Sequence, residues 1–187
     1  MSKKEKVIYQ KHTNSYDLRQ AIKSLLNLGL LKDIVYRFAY NTVNHTIGKQ
    51  VATIGKNTKI HPTAFIRHGE RVIMGEHCFI NHNNVIQGGK HKAKVLMGNY
   101  VQTGPGVMIF AFNHGTEMNG IPMIDQDYFE ADIIIEDDVW IGAGTIITAG
   151  VHIGKGCVIG SNSVVTKNLP ENMICVGVPC KPIKPRQ

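Results

Sequence analysis

IIIEDDVWIGAGTIITAGVHIGKGCVIGSNSVVTK, residues 133–167, decides the fold. An Ile or Val falls at every sixth position: Ile135, Ile141, Ile147, Ile153, Ile159 and Val165. With roughly a quarter of the chain Ile, Leu or Val, six hits in one register arise by chance about once in four thousand trials. Four residues after the first five come Val139, Thr145, Val151, Cys157 and Ser163, all small or β-branched. A period of six does not fit a helix of 3.6 residues per turn. It fits a coil of three short strands joined by tight corners. The aliphatic residue points inward on each side, and the residue four later shares the same narrow interior. Gly and Asn supply the backbone angles that corners need. Coils stacked about 4.8 Å apart pair every strand with the coil above and below. A sandwich would not hold one fixed period.

Working toward the N-terminus, the pattern continues with slips. Ile54, Ile60, Ile66 and Val72 form one register, Met74, Ile80 and Ile86 a second, and Met97, Thr103 and Ile109 a third. Two segments interrupt it. QGGKHKAK, residues 87–94, is a short excursion, and residues 110–132 are a long one. Long loops on a rigid scaffold tend to carry function. The predicted class is an all-β solenoid over residues 51–168, with a basic helical cap over residues 1–50 and an extended tail over 169–187. In the first 50 residues Ile22, Leu25, Leu26, Leu30, Ile34, Val35 and Phe38 recur at helical spacing, with Gly29 as the expected break. A helical cap covers the open end that every solenoid has. A basic amphipathic helix on an anionic membrane surface is the less favoured reading. The Pro-rich end (Pro170, Pro179, Pro182, Pro185) reads as extended.

Composition sets the remaining bounds. The 187 residues are 43% hydrophobic and 19% charged, enough to bury one core. No apolar run approaches the roughly 20 residues of a membrane helix, and Met1 to Lys11 is Lys-rich rather than a leader. Four cysteines without a CxxC motif point to free thiols and a cytoplasmic protein. The net charge of +7 is segregated. Residues 1–50 hold nine Lys/Arg against three Asp/Glu, and no Lys or Arg occurs between Lys94 and Lys155. With no nucleic-acid motif beside it, that charge does not indicate DNA or RNA binding.

The sequence resembles the hexapeptide-repeat acyltransferases, which have a left-handed parallel β-helix. The likeness is strongest to galactoside, maltose and polysaccharide O-acetyltransferases. It spans residues 51–187 and is most specific in the stretch quoted above, in GVPCKPI at 177–183, and in the loop FNHGTEMNGIPMIDQD at 112–127. The resemblance implies the left-handed sense, a homotrimer with sites between neighbouring helices, acetyl-CoA as donor, no metal, and a sugar hydroxyl as acceptor, in cell-surface polysaccharide synthesis. It also implies site residues. His114 takes the place of the general base, which an imidazole can be near neutral pH. Apart from the resemblance, a base works best when a partner orients its ring, and of the acids in the same loop, Glu117, Asp125 and Glu130, Glu117 is the first choice. Asn81 matches a position lining the acceptor pocket. Ala143 and Ser161 match positions whose backbone meets the pantetheine arm, the Ala143 amide being also a plausible oxyanion donor. Thr166, Lys167, Lys181 and Lys184 match positions that meet the adenosine phosphates, with Lys where the family often has Arg at the last two. Gly88 and Gly89 replace acidic residues of the galactoside pattern. An N-acetyltransferase of a nucleotide-linked amino sugar is the alternative. A zinc lyase using His77 and His82 is a minor one, since the position where a third His would fall, Asn41, is not a His.

Overall fold

Six residues per side leave room for a strand of two or three residues and a corner, and that is what forms. The structure, a computed structural model, describes residues 14–25 and 27–187. Leu26 of the expected apolar stripe, and Met1 to Lys11, lie outside the described residues. The chain divides into two compact units, Met1–Asn41 and Thr42–Gln187.

The second unit is a three-sided parallel β-solenoid of about six coils. Its first face stacks Thr53–Ile54, Val72–Met74, Val95–Met97, Ile133–Ile135 and His152–Ile153. The second face stacks Lys59–Ile60, Phe79–Ile80, Gln102–Thr103, Trp140–Ile141, Val158–Ile159 and Met173–Val176. The third stacks Phe65–Arg67, Val85–Gln87, Met108–Phe110, Ile146–Ile147 and Val164–Val165. The aliphatic ladder fills the interior: Ile135, Ile141, Ile147, Ile153, Ile159 and Val165 are all buried. So are the small residues four later, Val139, Thr145, Val151, Cys157 and Ser163. Burying each such Ile or Val is worth about 1.5–3 kcal/mol. The buried hydroxyls are satisfied locally, Ser163 Oγ donating to the Gly160 carbonyl at 2.7 Å and Thr103 Oγ1 accepting from the Asn81 amide at 3.0 Å. Cys78, Cys157, Cys175 and Cys180 are free thiols in the same interior, where burial pushes Cys175 up to about 12.

The corners explain the rest of the sequence pattern. The first corner, between faces one and two, carries one left-handed residue per coil: Asn57, His77, Tyr100, Asp138, Gly156 and Asn172. The second corner does the same at Asn83, Gly106, Gly144 and Asn162. Seven of these ten are Asn or Gly, which tolerate this conformation most readily, and the others are His77, Tyr100 and Asp138.

The third corner, where one coil passes to the next, holds every insertion. Register equivalents on the first face are Ile54, Met74, Met97, Ile135 and Ile153. Ile147 to Ile153 takes the ideal six residues, whereas Ile66 to Met74 takes eight, Ile86 to Met97 eleven, and Ile109 to Ile135 twenty-six. The two predicted excursions are therefore joined by a third, around His68 and the 3-10 turn Gly69–Arg71.

The helical parts differ in detail from the expectation. The first unit holds helices Asn14–Ser24 and Leu28–Asn41. Gly29 is not the break. It sits inside the second helix, and its amide donates to Asn27 Oδ1 at 2.8 Å, an N-cap contact. In the solenoid unit, a π-helix Thr42–Ile47 and a helical turn Gly48–Val51 pack on the first coil. Arg67 Nε donates to Asn44 Oδ1 at 3.2 Å, and Lys49 Nζ donates to the Pro62 carbonyl at 2.7 Å. At the other end, residues 169–187 are extended, as their prolines require, but paired. Leu169 bridges to Ile153, Met173–Val176 forms a sixth coil, and Lys181–Pro185 returns antiparallel beside it. Ile159 to Cys175 spans sixteen residues rather than eighteen, which hides this coil from a period of six.

Coil spacing yields a stability prediction. A Cβ at Gly142 would lie 2.5 Å from the Ser161 backbone nitrogen, with no flexible side chain to give way. At Gly106 a Cβ would meet nothing, and only its φ of +67° opposes alanine. Gly142→Ala should lower stability by about 1–3 kcal/mol, and Gly106→Ala by about 1 kcal/mol. Thermal melts of the two variants check this, and an unchanged melt for Gly142→Ala would contradict the close approach.

Candidate active site

The three insertions at the third corner come from successive coils and fasten to one another. Arg71 Nε, from the first, donates to the Gly89 carbonyl of the second at 2.5 Å. Gly89 closes a tight loop by donating to the Ala93 carbonyl at 2.8 Å. That loop turns its amides toward one point, where the carboxylate of Glu130 from the third insertion sits. It accepts from the amides of Lys90, His91 (2.9 Å), Lys92 (3.0 Å) and Ala93 (3.3 Å). Desolvation works against the charged form of Glu130. The four amide hydrogen bonds outweigh it and hold the carboxyl at about 2. Asp132 repeats the contact once, accepting from the Lys94 amide at 2.7 Å. Both glycines are crowded: a Cβ at Gly88 would lie 2.8 Å from the His68 carbonyl oxygen. A Cβ at Gly89 would lie 2.8 Å from both Glu130 Oε2 and Ala93 Cβ, so an acidic side chain there is excluded sterically.

The long insertion leaves the prism as a two-stranded ribbon, Phe112–His114 antiparallel to Tyr128–Glu130. Beyond it the loop is pinned by one side chain. Gln126, nearly buried, donates from Nε2 to the carbonyls of Glu117 (2.9 Å) and Ile121 (2.8 Å) and accepts from the Glu117 amide (3.1 Å). Sequence reading missed Gln126 because a Gln among acids reads as solvated surface. Under this loop lies a cleft of about 470 Å³, whose lining includes His114, Glu117, Asp125, Asp127, Tyr128 and Phe129.

His114 is exposed at the ribbon's end, its ring centroid 4.5 Å from that of Tyr128. Glu117 and Asp125 share its cleft, but among the described residues no carboxylate is hydrogen-bonded to its ring. Glu130 is committed to the backbone amides of residues 90–93 and does not orient the His114 ring. His77 and His82 occupy different corners. His77 stacks on Tyr100 (5.0 Å, 4°), while His82 lies against Asn81 Oδ1 (2.8 Å). Among the described residues no three His, Cys, Asp or Glu side chains gather as a metal site.

The remaining predicted residues fall elsewhere. Asn81, Ala143 and Ser161 share the second corner, Asn81 two coils from Ala143 and Ser161 one coil further. No protein group among the described residues accepts from the amides of Ala143 or Ser161, which suits donation to a ligand. Thr166 and Lys167 follow Val165 at the third corner of the fifth coil, and Lys181 and Lys184 lie on the returning strand, all exposed. Within one chain, then, the third-face strands separate His114 from the Asn81, Ala143 and Ser161 column. An imidazole in an open cleft can take a proton, and unpaired amides can stabilise an oxyanion, but one chain does not bring them together.

Comparison with known proteins agrees with this scaffold. The bacterial transferase hexapeptide (six repeats) family matches residues 132–167. A Saccharomyces cerevisiae protein named as an acetyltransferase is 33% identical over 144 residues, covering 77% of this chain and 71% of that one. The galactoside O-acetyltransferase of Escherichia coli is 29% identical over 163 residues, covering 82% and 76%. Among solved structures, a hexapeptide-repeat acetyltransferase of Vibrio cholerae complexed with acetyl coenzyme A superimposes with a TM-score of 0.65 at 23% identity, covering 96% and 93%. The chain belongs to the hexapeptide-repeat acetyltransferases.

The Glu130 contact predicts a pH dependence. A carboxyl held at about 2, against an ordinary 4.5, contributes stability above pH 4.5 that is lost as the pH falls toward 2. The difference in urea midpoint between the native chain and Glu130→Gln should be constant from pH 7 to 5 and shrink below 4.5. A difference that persists unchanged at pH 3 would contradict the four-amide contact.

Proposed function

We propose that the protein transfers an acetyl group from acetyl-CoA to a sugar hydroxyl, with His114 as general base. The observation that carries this reading is His114 itself. It is presented by a paired ribbon, at the mouth of a cleft that combines carboxylates with the exposed ring of Phe129. Carboxylates accept from sugar hydroxyls, and aromatic rings cover sugar C–H faces. The names of the Escherichia coli relative and of the acetyl-CoA-bound Vibrio cholerae structure support the acceptor and donor classes.

In this reaction the imidazole removes the hydroxyl proton as the oxygen attacks the thioester carbonyl. The tetrahedral oxyanion is held by the Ala143 amide. Collapse breaks the carbon–sulfur bond and expels the CoA thiolate, which receives the proton from the imidazolium. Ser161 lies along the pantetheine path, Thr166, Lys167, Lys181 and Lys184 meet the adenosine phosphates, and Asn81 contacts the acceptor. Since the His114 arm and the Ala143 column lie on different corners of one prism, the proposed site joins the arm of one copy to the column of the next. A homotrimer closes such a head-to-tail contact into a ring.

Thiol release from acetyl-CoA, screened against mono- and oligosaccharides, amino sugars and nucleotide-linked amino sugars, tests the function. Turnover confined to amines would overturn hydroxyl transfer. His114→Ala should lower kcat by about 10²–10⁴-fold while light scattering still gives three times the 20.7 kDa chain mass. Near-normal turnover would remove His114 from the base role. Lys167→Ala should raise the KM for acetyl-CoA about tenfold or more, as expected for a lost charged hydrogen bond. It should leave a donor lacking the 3′-phosphate unaffected, and equal losses with both donors would show that Lys167 does not meet that phosphate.

A further inference from the structure

His114 has no hydrogen-bonding partner for its ring among the described residues, yet a base must be held in one orientation to work. The group that meets the ring is aromatic. Tyr128 stands directly across the ribbon from His114 in register, and the two rings lie 4.5 Å apart at 50°. Tyr128 is itself held. Phe112 packs edge-on against it at 5.6 Å and 78°, from the same strand as His114. The ammonium of Lys90 lies 3.2 Å from the Tyr128 ring centroid and 5.4 Å from that of Phe112, a cation–π contact. Lys90 in turn belongs to the loop whose amides converge on Glu130, the ribbon residue two past Tyr128. Two insertions from successive coils thus enclose one tyrosine ring, and that ring flanks the imidazole.

We propose that Tyr128 is the positioning residue for His114, and that Lys90 clamps Tyr128 in place. The proposal rests on the reading of His114 as the base and adds what orients it, a role the loop carboxylates do not fill in this geometry. The ring, rather than the phenolic hydroxyl, does the positioning, since among the described residues the side chain of Tyr128 meets Phe112, His114 and Lys90 through its ring. Lys90 gives the otherwise unexplained excursion at residues 87–94 a purpose. Its two glycines allow the tight loop, and the loop delivers one cation to one ring.

The test combines kinetics with a signal from His114 itself. The native protein, carrying histidine labelled with ¹³C at Cε1, gives one resonance that His114→Ala removes, which identifies it. Tyr128→Phe keeps the ring and should leave that resonance near its native position and kcat within about threefold. Tyr128→Leu should move the resonance, since the ring current is lost, and lower kcat about 10–100-fold with the KM for acetyl-CoA within twofold. Lys90→Met, an exchange at a partly exposed site, should lower kcat in the same direction by a smaller factor, again without a change in KM. A shifted resonance with unchanged kcat in Tyr128→Leu would overturn the positioning role. An unshifted resonance would overturn the contact. Failure of the base reading is separate, because it appears as retained turnover in His114→Ala, whatever Tyr128 does.

Discussion

The interior of a three-sided prism with one backbone turn every 4.8 Å or so admits one aliphatic side chain and one small one per side. Everything else in this structure follows from that limit. Ile135, Ile141, Ile147, Ile153, Ile159 and Val165 fill the long positions, while Val139, Thr145, Val151, Cys157 and Ser163 fill the short ones. No extra residue fits inside, so each insertion must leave the prism. All three leave at the third corner, where the chain changes coil and a longer path does not disturb the faces. Stacking the coils then stacks the insertions. A wall forms in which Arg71 fastens the second insertion and Glu130 ties the second to the third.

That wall converts a rigid, repetitive scaffold into a specific site. The ribbon carrying His114 is paired along its length, and its far loop is held by Gln126. The Glu130 carboxylate fixes the loop that brings Lys90 over Tyr128. Donor-side positions are a different kind of surface. Ala143 and Ser161 project little, and among the described residues no protein group accepts from their amides at the second corner, so a long flexible substrate arm can lie along the coils there. The proposed catalysis draws on both corners, one for a base on an arm and the other for backbone donors.

The solenoid was legible in the sequence where the period runs without slips, from Ile135 onward. It was less so where a slip hid inside the register. Val72 lies six residues after Ile66 and is buried, so the two extra residues before Met74 left no visible break. The coincidence of all insertions at one corner needed the register of neighbouring strands, which spacing alone does not give. His114 stood out because it lies off the ladder within a long excursion. Glu130 did not, because a carboxylate that binds four amides reads the same in sequence as one that orients an imidazole. Tyr128 and Gln126 were missed for a related reason. Their roles depend on pairing across the ribbon and on the fold of its loop, not on local pattern. Gly88 and Gly89 were visible as a departure, but their cause, the approach of Glu130 and Ala93 to Gly89, was not.

The central claim is that one copy's arm and another copy's second corner form each site. Mixed assemblies test it most directly. His114→Ala removes the base, and Ser161→Trp blocks the donor path at the second corner, so each variant alone should be inactive. Unfolded together and refolded as a mixture, the two should recover a substantial fraction of native acetyl transfer, because some interfaces then pair an intact arm with an intact corner. If each chain carried its whole site, every chain in the mixture would hold one defect, and the mixture would stay as inactive as its components.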